Sequence, residues 1–161
     1  MTPKKVLVPL DGSRLAEASL PEAVDLARRG ASLLLLRTAE ASPRLGTDPV
    51  EAQVAVVREA EDYLAAVAAR IRKAGATNVE TSVWYGPPAE AIVEAADLPG
   101  VELIVMTTHG RSGLGRLVLG SVAETVLRAT TIPILLLRDR EAPLMPTATG
   151  EAWAMRETTR V

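Results

Sequence analysis

Apolar positions along this chain fall into two kinds of segment. Short runs rich in Val, Leu and Ile read as strands, at residues 5–10, 32–38, 79–85, 101–107 and 132–138. Longer stretches between them repeat with helical period. Residues 14–29 set Leu15, Ala18, Ala23, Leu26 and Ala27 near one face. Residues 50–74 do the same with Val54, Val57, Tyr63, Leu64, Val67 and Ile71. Shorter helices fit residues 88–96 and 121–129.

The residues between these segments agree with that reading. Gly30 and Gly75 sit just past helical stretches, where a left-handed backbone closes the last turn. Asp48, Pro49 and Glu51 form a helix start, with a carboxylate cap, proline in the first turn and an acid at the third position. Gly86-Pro87-Pro88 ends a strand and opens a helix, and Ser121 with Glu124 has capping-box spacing.

Five strands thus alternate with four helices. The continuous apolar runs at Leu33 to Leu36, Leu103 to Val105 and Ile134 to Leu137 suit strands covered on both faces, hence parallel ones. Right-handed crossovers then give an α/β fold, a doubly wound open five-stranded parallel sheet with helices on both faces. One domain is expected over residues 1–140, with a C-terminal tail over 141–161 that falls outside the pattern.

Composition narrows the function. With 48% hydrophobic and 24% charged residues, wholesale disorder is excluded. Cysteine is absent and histidine occurs once, which removes thiolate chemistry, zinc–thiolate sites and multi-histidine metal sites. A net charge of −2 argues against non-specific nucleic-acid binding, and 2% aromatics with no Phe argue against a base-stacking platform. No apolar run approaches the ~18 residues of a membrane span, and no signal segment is evident, so the expected compartment is the cytoplasm.

In an open parallel sheet, ligands bind beyond the carboxyl ends of the strands. The first strand ends in Pro9-Leu10-Asp11-Gly12-Ser13, the second in Arg37-Thr38, and the fourth in Met106-Thr107-Thr108-His109. Gly110, Gly113, Gly115 and Gly120 then lead to the helix opening at Ser121. Glycines let backbone amides approach a ligand closely, and a helix start adds free N–H donors and a positive dipole end. This loop reads as an anion cradle, for a phosphate or nucleotide, with Arg111, Arg116, Ser112 and Ser121 as further donors.

Other phosphate and hydrolase motifs are excluded. No Gly-Lys pair exists for a Walker loop, the first turn has one glycine where a dinucleotide fingerprint needs three, and Gly110-Arg111-Ser112-Gly113-Leu114 lacks the last glycine of a nucleophile elbow. His109 has no neighbouring carboxylate or second histidine, so no catalytic pair is visible and it reads as a loop residue. Asp11 is open to two readings, ligand contact or helix cap. Trp84 and Tyr85 read as packing residues.

From residues 5 to 138 the chain resembles the universal stress protein family, in its nucleotide-binding branch. The resemblance rests on Val6-Leu7-Val8-Pro9-Leu10-Asp11-Gly12-Ser13 and on the spacing G-x2-G-x9-G-(S/T), matched by Gly110 and Gly120-Ser121. One position departs: Thr107 stands where the motif has its first glycine. The resemblance implies strand order 3-2-1-4-5 and a bound ATP, ADP or AMP with magnesium or manganese carried by the phosphates. It implies that Asp11, Pro9 and Ser13 border the nucleotide, Thr38 meets the adenine edge, and Met106 and Thr107 line the base and ribose. Gly110, Arg111, Ser112, Gly113, Gly120, Ser121 and Val122 would hold the phosphates. It also implies a homodimer through Ile132, Ile134, Leu135 and Leu136 of the last strand. The expected function is ATP-binding regulation in the stress response with little or no catalysis. The alternatives are a nucleotide-free dimerisation or scaffold module and, more weakly, a slow ATPase.

Overall fold

The structure is a computed structural model in which residues 2–40, 48–108 and 119–138 are described. The elements run β1 (Lys5–Pro9), α1 (Arg14–Glu17), α2 (Leu20–Arg28), β2 (Ser32–Ala39), α3 (Pro49–Lys73), β3 (Val79–Tyr85), α4 (Pro88–Ala96), β4 (Val101–Thr107), α5 (Ser121–Ala129) and β5 (Ile134–Leu137). The sheet is parallel throughout, in the order β3-β2-β1-β4-β5. The tail beyond residue 138 lies outside the described residues.

Strand alternation explains the uninterrupted apolar runs. Val6, Val8, Leu33, Leu35 and Val105 face a core built with α2 and α3. Leu7, Leu34, Leu36, Ile104 and Met106 face a second core built with α4 and α5. Both faces of the central strands are covered, so no polar face is needed.

Two expected elements differ. The helix expected over residues 14–29 is split in two. Ser13 caps α1 with its hydroxyl, which accepts from the Ala16 amide at 3.1 Å, and the turn then tightens as Ala18 N–H donates to the Leu15 carbonyl. Pro21 lacks the N–H that would have continued the ladder to Glu17, and the chain restarts as α2. The buried Ser19 hydroxyl donates to the Ala16 carbonyl at 2.7 Å and satisfies the junction. The last strand starts at Ile134, two residues later than the pattern predicts, because Pro133 has no amide to give.

The α3 start is as expected: the Asp48 carboxylate accepts from the Val50 and Glu51 amides at 2.7 and 3.4 Å. At α5 the cap is Gly120, so Ser121 is the first helical residue and the predicted capping box does not form.

Candidate functional site

A cleft of about 560 Å³ opens over the carboxyl ends of β1, β2 and β4, where strand order reverses around β1. Of the residues expected there, Pro9, Asp11, Thr38, Met106, Thr107, Gly120, Ser121 and Val122 all line it. Ser13 does not; its hydroxyl caps α1. Gly110, Arg111, Ser112 and Gly113 lie outside the described residues, as does His109.

Each wall has a local cause. Asp11 lies two residues past the end of β1, and its carboxylate accepts from the Ser13 amide at 2.9 Å, an Asx turn that aims the chain out of the sheet. This settles its capping role: Ser13, not Asp11, caps the helix. Gly12, at φ +83°, makes the turn in a left-handed conformation. Thr107 ends β4 and is 8% exposed, so the methyl and hydroxyl it carries in place of a glycine are packed into the cleft wall.

The mouth of the cleft on the β4 side is the start of α5. Among the described residues no side chain caps it, and the first bond of the ladder runs from the Glu124 amide to the Gly120 carbonyl. The amides of Ser121, Val122 and Ala123 therefore have no acceptor within the helix. Gly120 itself is committed, since its N–H donates to the Thr108 carbonyl at 2.8 Å. The α5 amides, with the dipole behind them, are a site for negative charge.

Sequence reasoning noted Arg37 only as the end of a strand. In the fold Arg37, 8% exposed, lines the cleft together with Glu59 and is the one charged residue of β2. Its Nη2 donates to Glu59 Oε1 at 3.0 Å, and its guanidinium lies 4.8 Å from the centroid of the Tyr63 ring. The Tyr63 hydroxyl donates to Glu17, and burial together with that acceptor raises its pKa well above the ordinary value. The available signal was the inward register of Arg37, two positions after Leu35 on the same strand face.

The universal stress protein family model matches residues 2–138. The chain belongs to the universal stress protein family. A universal stress protein of Methanocaldococcus jannaschii is 31% identical over 141 residues, covering 84% of this chain and 82% of the relative. Among solved structures, universal stress protein UspA of Lactobacillus plantarum superposes with a TM-score of 0.74 at 27% identity, over 86% of this chain and 99% of that one. A family member solved in complex with cAMP superposes with a TM-score of 0.59 at 27% identity, over 86% of this chain and 98% of that one. Among the described residues no helix is long and apolar enough to cross a membrane.

Proposed function

We propose that this chain is a cytoplasmic regulatory protein of the stress response that binds an adenine nucleotide, ATP, ADP or AMP, in the cleft over β1, β2 and β4, with little or no catalysis. The observation that carries the reading is the start of α5, free of a side-chain cap among the described residues, at a cleft that Asp11 and Thr38 border from the other side. Phosphates would meet the amides of Ser121 and Val122, and base and ribose would lie toward Asp11, Thr38, Met106 and Thr107. A relative at 27% identity whose structure holds cAMP supports this choice of ligand class. Among the described residues no cluster of three His, Cys, Asp or Glu side chains offers a metal cage, so magnesium or manganese would enter bound to the phosphates.

Isothermal titration of the full chain with ATP and magnesium tests this reading. Binding heat and a thermal shift are expected. Neither, at millimolar nucleotide, removes it. Mass spectrometry of freshly purified protein identifies which nucleotide is carried.

The buried Thr107 favours a second reading, a nucleotide-free dimerisation module, because its side chain occupies space the glycine motif leaves to the ligand. That reading predicts no nucleotide in the purified protein and no heat on titration. In both readings the chain forms a homodimer through Ile132, Ile134, Leu135 and Leu136, with β5 beside its antiparallel twin.

A further inference from the structure

We propose that Arg37 is a specificity-determining residue of the cleft, whose guanidinium donates to acceptor atoms on the base-and-ribose end of the nucleotide in exchange for Glu59. The assignment rests on the nucleotide reading above.

Arg37 is the one charged residue of β2, and its side chain is 10% exposed. Among the described residues its polar partner is a single carboxylate oxygen of Glu59, whose own side chain is 71% exposed. A guanidinium carries five N–H donors, and a buried one held by a single bond to a solvated partner has donors left to satisfy. The group is nonetheless well positioned. Tyr63 lies under it at 4.8 Å, and the Gly12 turn lies beside it, close enough that a Cβ there would be in ordinary contact with its central carbon at 3.5 Å.

Location decides which end of the ligand it meets. The start of α5 follows β4, and β4 is separated from β2 by β1. Two strand spacings separate β2 from β4 by roughly 10 Å, and Arg37 turns to the α3 face while α5 packs on the other, so the guanidinium stands at least that far from the α5 amides. That span is the reach of a nucleoside, which places Arg37 at the base and ribose, beside Asp11 and Thr38. Arg37 and Asp11 then form a donor and acceptor pair on one wall. Glu59 competes with the ligand for Nη2, so ligand binding and the ion pair oppose one another.

The test titrates ATP with magnesium, and separately tripolyphosphate, into the full chain, Arg37→Met, Glu59→Gln and the double variant. Arg37→Met is expected to weaken ATP roughly ten- to hundredfold, the worth of a charge-assisted bond, and to leave tripolyphosphate unchanged. Glu59→Gln is expected to tighten ATP severalfold, and the double variant to lose that gain. Unchanged ATP affinity in Arg37→Met, or equal losses for ATP and tripolyphosphate, overturns the assignment while the nucleotide reading stands. If Arg37→Met does not fold by circular dichroism, Glu59→Gln decides: equal tightening of both probes is a general charge effect and overturns it. If tripolyphosphate is held too weakly to measure, the coupling between the two substitutions decides. No ATP binding by the unaltered chain removes the nucleotide reading and this assignment with it.

Discussion

The hydroxyl of Tyr63, midway along α3, donates to Glu17 Oε1 at 2.9 Å, on the last residue of α1. The other oxygen of that carboxylate accepts from Arg70, about two turns further along α3. Two helices that flank the cleft wall are thereby joined by one acid.

Burial and the Glu17 acceptor hold the Tyr63 hydroxyl protonated beyond its ordinary value of 10.0. The folded protein therefore keeps a proton that the unfolded chain releases. That contribution is intact below pH 10.0 and is lost progressively as pH climbs past it. Urea melts from neutral pH to about pH 11 should show stability falling on the alkaline side, and Tyr63→Phe should flatten that fall. At neutral pH the same variant should cost about 1 kcal/mol.

Gly30 and Gly75 both close helices with φ near +106° and +107°, so alanine at either is strained. Their surroundings differ. A Cβ at Gly30 meets open space, whereas one at Gly75 would come within 3.1 Å of Arg28 Nε. That guanidinium is already donating to the Ala74 carbonyl through Nε and Nη2. Gly30→Ala should cost about 1 kcal/mol, or about 2–4 °C in Tm for a domain of this size, and Gly75→Ala measurably more. Thermal melts that rank the two the other way would contradict the Arg28 contact.

Leu35 is fully buried at the centre of the α3-facing core. Leu35→Ala should destabilise by about 3–5 kcal/mol in denaturant melts, since β2 is paired on both sides and cannot collapse into the gap. Val50→Ala, at a residue 67% exposed on α3, is the matched control and should stay within about 0.5 kcal/mol.

The pairing of β5 makes the dimer testable residue by residue. The carbonyls of Pro133 and Leu137 accept from Ile104 of β4 and from Thr108 just past its end, so the amides of Ile134 and Leu136 point to the open edge of the sheet. In a dimer built on this strand those two amides should resist hydrogen exchange as well as the Leu135 amide, and light scattering should give twice the mass of the single chain. Rapid exchange at Ile134 and Leu136 beside a protected Leu135, together with a single-chain mass, would rule that dimer out.

Much of the fold was readable in advance because burial on both faces leaves a plain mark. The runs at Leu33–Leu36 and Leu103–Val105 marked strands covered on both faces, and β3, β4, α4 and α5 begin and end where the pattern placed them. Strand order was not in the periodicity, since alternation records which face a residue takes and not which neighbour its strand has. The break at Ala18 and Ser19 was hidden because Pro21 is tolerated in a first turn, and a continuous apolar stripe covers both halves. Within the cleft, backbone signals were legible: Asp11-Gly12 as a turn and Gly120-Ser121 as a helix start. Arg37 was not, because its significance depends on Glu59 and Tyr63, which sit more than twenty positions away on another element.

The bond from the Gly120 amide to the Thr108 carbonyl brings the chain back to where it left β4. It ties the residue just past β4 to the cap of α5, so the β4 wall of the cleft and the helix start that borders it hold one fixed separation.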